Sequence, residues 1–416
     1  MIVEFSLANY KSFNKVQTLS FRATGLTSED KAVDVKNIIE INGDRVLKIA
    51  GIYGANASGK SNLLKGLILF KQMIDTSLKT EFFARRKLSP FKLADTNIEN
   101  AGFFQVVLLL SGKKYRYGFT VNEEGSIEKE WLFGPAEKRE THYFKRTGSE
   151  VKVNNDYFEE GENLPFDKLR SDALFLAFSA SYNGSISQRI KDFFTLHVRV
   201  DRYDEHKGLR AILRGQNRLT DKLIEEGKKE IVLDWMKEAG IVFQDVNVRK
   251  TEIQKNLEQT LVTFAKNIYS EQGDIKGQAL LDLDSDESEG TRKFYSYIGQ
   301  LHHLFENGGI FISDEIDSNF HPSLLQRLIA TFQNNKINKS GAQLLFTSHD
   351  TNLMSPNCMR RDQFYFTEKT VYDETHLYSL ADLRGIRNNA DFSRQYLAGL
   401  YGALPQLGNY LEETEI

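Results

Sequence analysis

Apolar and polar positions alternate at the start of the chain, with Val3, Phe5 and Leu7 set against Ile2, Glu4 and Ser6, which predicts a strand. A polar turn at Asn9, Tyr10, Lys11 and Ser12 leads to a second strand around Val16 to Phe21, so a small hairpin or meander opens the fold. Val46 to Tyr53 is a short apolar run that ends in a Gly-rich loop. Beyond that loop Leu63, Leu67, Phe70 and Ile74 recur at spacings of four, three and four, one face of an amphipathic helix. From about Phe103 to Val121, the runs Phe104 to Leu108 and Tyr115 to Phe119 flank a turn at Ser111 to Lys114, which predicts an antiparallel lobe.

The pattern changes over residues 160 to 275, where stretches such as Leu209 to Met236 predict helices with charged faces. Gly309 to Ser313 then reads as a buried strand. A helix with Leu324, Leu325, Leu328, Ile329 and Phe332 on one side follows, and a further strand at Gln343 to Thr347. Strands alternating with helices after a Gly-rich loop argue an α/β class built on a mostly parallel sheet, whose ligands sit at the carboxyl ends of its strands. No heptad pattern runs long enough for an extended coiled coil, and the sequence has no internal repeat.

Composition adds limits rather than elements. The 416 residues are 40% hydrophobic, 27% charged and 12% aromatic, an ordinary folded balance. A net charge of −3 offers no global attraction to nucleic acid, so any such surface must be a local patch. Cys358 is the single cysteine, which excludes an internal disulfide, and the eight histidines have no zinc-site spacing. The start lacks a signal-peptide pattern and no apolar run spans a bilayer, so a soluble, cytoplasmic protein is expected.

Candidate chemistry gathers at the predicted strand ends. Gly54-Ala55-Asn56-Ala57-Ser58-Gly59-Lys60-Ser61, with Asn62 beyond it, has the spacing of a phosphate-cradling loop. Its glycines let backbone N–H groups turn onto phosphates, Lys60 reaches the β- and γ-phosphates of ATP, and the Ser61 hydroxyl ligates Mg²⁺. A chance match in a chain of this composition has a probability of roughly 2%, and the flanking strand and helix are the context the loop requires. Ile310 to Ser313 delivers two adjacent acids, Asp314 for the Mg²⁺ shell and Glu315 as general base toward water.

Thr347-Ser348-His349 ends the next strand, where the histidine could meet the γ-phosphate or the attacking water. Glu287-Ser288-Glu289-Gly290-Thr291 precedes a helix with Phe294, Ile298, Leu301 and Phe305 on one face. A Ser, a Gly and free N–H groups at a helix start make an anion site, although Asp282, Asp284, Asp286, Glu287 and Glu289 repel phosphate unless they point away. An ordinary capping box gives the same pattern.

In this order the motifs resemble those of ABC-type ATPases of the SMC/RecF/OLD superfamily. The resemblance makes Lys60 part of the Walker A loop, Ser288 and Gly290 the signature, Asp314 and Glu315 Walker B, and His349 the switch histidine. Within that group the chain is most similar to the RloA-like, abortive-infection AAA ATPases. It matches at Asn9 to Phe13, Asp314-Glu315-Ile316-Asp317, His321-Pro322 and Thr347-Ser348-His349-Asp350. The implied fold is an ABC/SMC-type P-loop NTPase head with an antiparallel β lobe and an inserted helical lobe. Residues 1–159 and 276–416 would be its two ATPase lobes and 160–275 the insertion.

The resemblance further implies MgATP as cofactor and a head-to-tail homodimer or larger homo-oligomer, with ATP held between Lys60 of one copy and Ser288 of another. It implies a sensor or regulator role in anti-phage defence. The effector would be a separate Toprim-type or other nuclease or toxin, since only Asn352 to Ile416 follow the last motif, and the trigger DNA or a phage protein. A RecF-like DNA-repair ATPase is the alternative; a scaffold that binds ATP without turnover is disfavoured by the intact Asp314, Glu315 and His349. Local basic clusters lie at Arg85-Arg86-Lys87, at Arg210, Arg214 and Arg218, at Arg360-Arg361 and at Arg384 with Arg387; the three arginines at spacing four could line one helical face as a phosphate-backbone track or simply be solvated. The apolar segment Tyr396 to Pro405 is expected to dock on the core or, as the lesser alternative, on a partner.

Overall fold

The computed structural model of the protein describes residues 1–79, 88–94, 101–137, 139–201, 218–254 and 257–405, with backbone alone at 251–254 and 257–259. Arg85, Arg86, Lys87, Arg210 and Arg214 lie outside the described residues. The chain divides into two compact units, residues 1–198 with 343–416, and residues 199–342. In chain order the first unit begins with β1 (Ile2–Ala8), β2 (Gln17–Ser20), α1 (Lys31–Asn37), β3 (Ile38–Ile41), β4 (Asp44–Leu47), β5 (Ile49–Gly54) and α2 (Lys60–Thr76). It continues with β6 (Gly102–Leu110), β7 (Lys113–Val121), β8 (Ile127–Gly134), β9 (Thr141–Thr147), β10 (Glu150–Val153), α3 (Phe175–Ser181) and α4 (Ser185–His197). The second unit holds α5 (Lys229–Glu238), β11 (Asp245–Gln254), β12 (Leu257–Tyr269), β13 (Ile275–Asp282), α6 (Glu289–Asn307), β14 (Ile310–Ser313) and α7 (Pro322–Gln333). The first unit then resumes with β15 (Gln343–Thr347), β16 (Phe364–Lys369), β17 (Thr375–Ser379) and α8 (Phe392–Leu397).

Two sheets sandwich α2 in the first unit. β5 lies between β15 and β16, parallel to both, and β17 pairs antiparallel with β16. The apolar run from Val46 to Tyr53 is therefore not one strand. It breaks at buried Lys48, so that β4 pairs with β3 while β5 enters the parallel sheet. The second sheet is antiparallel, in the order β10-β9-β8-β7-β6-β1-β2. Phe70 of α2 packs on its inner face, 5.1 Å from Phe119 and 6.1 Å from Phe5 between ring centroids. Gly66 lets α2 approach β1 closely, since a Cβ there would lie 2.8 Å from Leu7 Cδ1. Part of the terminal apolar segment packs on the core, with the Tyr396 and Tyr401 rings 5.4 and 5.8 Å from Phe366, while Leu397 and Leu400 are exposed.

In the second unit α5 and α6 enclose a core with Val246, Val262, Phe264 and Leu283. Helix occupies 218–225 and α5, but residues 245–254 and 257–269, inside the 160–275 stretch expected to be helical, form β11 and β12, and β13 pairs antiparallel with β12. Among the described residues no helix is long and apolar enough to cross a membrane. Arg360, of the Arg360-Arg361 cluster, is buried and paired with Asp34 and, at 2.8 Å, with Asp362.

Candidate functional site

The loop from Gly54 to Ser61 joins the carboxyl end of β5 to the start of α2. Its backbone is left-handed at Gly54 (φ +147°), Ala57 (φ +61°) and Gly59 (φ +117°). Both glycines are required by space as well as by φ. A Cβ on Gly54 would lie 2.4 Å from the Thr367 carbonyl oxygen, and one on Gly59 2.3 Å from Thr375 Oγ1. Gly59 caps α2 with no side-chain hydrogen bond, so the first N–H groups of a 17-residue helix are offered at its positive end. Buried Lys60 turns back over the loop and donates to the carbonyl oxygens of Gly54 (2.7 Å) and Ala55 (2.9 Å). A ring of backbone donors with a lysine over it at a helix start fits a polyphosphate.

Two hydroxyls that the sequence reading did not single out, on Thr367 and Thr375, hold this loop together with Ser12 of the matched turn. Ser58 Oγ is 2.6 Å from Thr367 Oγ1, and Thr375 Oγ1 is 2.8 Å from both the Ser58 carbonyl oxygen and Ser12 Oγ. Asn62 Nδ2 donates to the same Ser12 Oγ at 2.9 Å. The polar turn after β1 is thereby tied to α2. Lys11 in that turn has a left-handed backbone (φ +52°), and burial, then the charge of Lys65, push its pKa down.

His349 leaves the sheet from the same edge as the loop. β15 runs parallel to β5 with Thr347 opposite Ile52, and Ser348 N–H donates to the Ile52 carbonyl at 3.1 Å. Ser348 is buried, while His349 is exposed.

In the second unit β14 ends at Ser313, with Asp314 half-buried and Glu315 exposed on a left-handed backbone (φ +49°). A non-glycine residue held there stores strain, a common mark of functional turns. Ser288 caps α6, its Oγ accepting from Thr291 N–H at 3.2 Å. Gly290 is required because a Cβ would lie 2.7 Å from the Asn319 carbonyl oxygen. Lys293, one turn on, donates to Ser318 O (3.0 Å) and Ser318 Oγ (2.8 Å). The start of α6 and the turn after Asp314 are thus fastened together. Burial lowers the Lys293 pKa, against the opposing charges of Asp201, Asp317 and Glu315.

The acids before Ser288 are largely spent on their own turn. Asp282 Oδ1 accepts from Asp284 N–H (2.9 Å) and Ser285 N–H (2.8 Å), and Asp286 Oδ2 from Asp282 N–H (2.7 Å). Arg292 further ties the Asp284 and Glu287 carbonyls, at 2.8 and 3.0 Å. Among the described residues no group of three His, Cys, Asp or Glu gathers into a metal site. Mg²⁺ on a nucleotide needs no such cage, because phosphates and water supply most of its oxygens and one or two protein groups suffice.

No curated protein matches the chain in sequence. Among solved structures it is similar to an SMC head domain from Thermotoga maritima, at 13% identity and TM-score 0.41, covering 91% of this chain and 98% of that one. It is also similar to the Smc head domain with a coiled coil and joint from Pyrococcus yayanosii, at 9% identity and TM-score 0.45, covering 96% and 99%. A family profile matches residues 49–355, roughly three quarters of the sequence and every motif from the phosphate loop to His349. The chain therefore belongs to the P-loop ATPase family described as "AAA domain, putative AbiEii toxin, Type IV TA system".

Proposed function

We propose that the protein binds MgATP at Gly54 to Asn62 and hydrolyses it, as a homodimer or larger homo-oligomer in which Ser288 and Gly290 of one copy complete the site of another. The observation that carries this reading is the loop itself, with three left-handed positions and Lys60 folded over its carbonyls at the start of α2. Lys60 exchanges those carbonyls for the β- and γ-phosphates. The Ser61 hydroxyl and the Asp314 carboxylate would hold Mg²⁺, which would supply neutralisation of phosphate charge. Glu315 takes a proton from the attacking water, and His349 orients that water or the γ-phosphate. Residues 1–159 and 276–416 act as the two ATPase lobes, with 160–275 inserted between them.

The family description, with its toxin and antitoxin terms, supports a regulatory use of this cycle. On this reading the ATPase is the sensor or regulator of a cytoplasmic anti-phage, abortive-infection system. It holds or releases a separate nuclease or toxin, and DNA or a phage protein is the trigger. The test is ATP turnover and gel filtration with and without MgATP, for wild type beside Lys60→Ala and Glu315→Gln. Slow turnover lost in both variants, with Glu315→Gln trapped as an ATP-bound dimer or larger species, supports the shared site. A wild-type protein that neither hydrolyses ATP nor assembles overturns it.

A further inference from the structure

We propose that the outer face of the antiparallel sheet, over β6 to β9, is a stacking platform for single-stranded nucleic acid. Inner positions of these strands are buried against the helices of the first unit, and the alternate positions face outward. In an ordinary solvated face those positions are polar. Here they include Phe103, Trp131 and Phe133, all partly exposed; Phe133 is paired with Arg116 and Trp131 with Lys145, while Phe103 is paired with Thr120, whose other neighbour is Lys129.

The rings are held flat. Trp131 is paired with Gly118 on β7, where a Cβ would lie 2.6 Å from the indole Cζ2, so the missing side chain lets the indole lie across the strand. Its Nε1 donates to Gln105 Oε1 at 3.1 Å, which fixes the ring, and Phe103 stacks beside it at 5.7 Å and 24°. The Arg116 guanidinium sits 4.1 Å over the Phe133 ring and pairs with Glu140, its Nε 3.0 Å from the carboxylate. Flat indole, phenyl and guanidinium planes are what unpaired bases stack on, and they tolerate any sequence.

Charge favours the same occupant. Lys129 and Lys145 are exposed and have no ion-pair partner among the described residues, and Glu140 is committed to Arg116. The patch is positive in a chain whose net charge is −3, the local exception that a phosphate backbone requires. Duplex bases are already stacked on one another and cannot lie on these rings, so a single strand is the fitting partner. This inference does not depend on the nucleotide site.

The test is fluorescence anisotropy of labelled oligothymidylate, oligouridylate and a DNA duplex with the full chain, at low and high salt without ATP. Single strands are expected to bind in a salt-sensitive way and the duplex more weakly; the tighter of the two single strands tells whether DNA or RNA is preferred. Trp131→Ala is expected to weaken binding at least about fivefold. Because that change could also disturb the sheet, Lys129→Glu with Lys145→Glu, both at exposed positions, is the second variant, expected to weaken binding and flatten the salt dependence. No binding with protein at about 100 μM, equal affinity for duplex, or unchanged affinity in the double-lysine variant overturns the proposal.

Discussion

Thr375 Oγ1 stands 2.8 Å from Ser12 Oγ although 363 positions separate the two residues in sequence. The pair joins the turn after β1, the β17 strand and the phosphate loop, because the same Thr375 oxygen is 2.8 Å from the Ser58 carbonyl. Thr375→Val keeps the shape and removes the hydroxyl, leaving the Ser58 carbonyl short of a partner at a cost of about 1–3 kcal/mol. The expected result is a folded protein with ATP affinity several-fold weaker, measured by calorimetric titration.

Gly59 tests the loop from its other side. An alanine there must adopt φ +117° and place its Cβ 2.3 Å from Thr375 Oγ1, so the loop has to shift. Gly59→Ala is expected to abolish detectable ATP binding. Gly25→Ala, where nothing lies within 4 Å of the added carbon, is expected to leave binding unchanged in the same titration.

The antiparallel sheet is anchored by a buried ion pair. Glu130 accepts from the N–H groups of Phe175 (2.6 Å) and Leu176 (2.9 Å) and from the Tyr117 hydroxyl (2.9 Å), with Arg146 Nη1 at 3.6 Å. Burial pushes the Glu130 carboxyl above the usual range, and Arg146 opposes that shift. Arg146→Met strands the carboxylate and is expected to cost about 3–5 kcal/mol in urea unfolding. Adding Glu130→Gln should recover part of that loss, because the uncompensated buried charge is then gone.

How much of this was legible follows from how local each signal is. The phosphate loop, β14 with its two acids and the strand from Gln343 to Thr347 each carry their information within a dozen neighbouring residues, and the structure has them as strand ends and loop. Thr367 and Thr375 carry none, because each matters through a partner more than 300 positions away, whereas Ser12 lies in a matched turn but acts through Asn62 and Thr375, 50 and 363 positions distant. The strands over 245–254 and 257–269 lie in a stretch that reads as helix although Val246, Val248, Val262 and Phe264 alternate, since the Lys, Glu and Gln residues among them also suit a helix. Arg360 reads only as part of a basic cluster because its carboxylate partner Asp34 is contributed by distant α1.

Asp221 makes the second unit pH-sensitive. Burial raises its pKa from 3.8 to about 6, and the Tyr295 hydroxyl, donating to it at 2.8 Å, opposes the shift. The folded chain then binds this proton more tightly than the unfolded chain. The resulting stabilisation is complete below pH 3.8 and is lost as pH rises through about 6. Wild type should therefore lose up to about 3 kcal/mol relative to Asp221→Asn across that window. Urea unfolding at the two ends of the window, for both proteins, checks the sign.

Ser288 separates a structural role from a functional one. Its Oγ accepts from Thr291 N–H, so Ser288→Ala should cost about 1 kcal/mol as any lost helix cap does. That result alone says nothing about phosphate. Aspartate caps a helix as well as serine, but its charge repels a γ-phosphate presented to the start of α6. If Ser288 and Gly290 serve the active site of a second copy, Ser288→Asp should keep the thermal midpoint of wild type while losing ATP-dependent assembly and most turnover. A Ser288→Asp protein that assembles and hydrolyses ATP like wild type would reduce Ser288 to a cap, and the completing anion site would have to lie elsewhere.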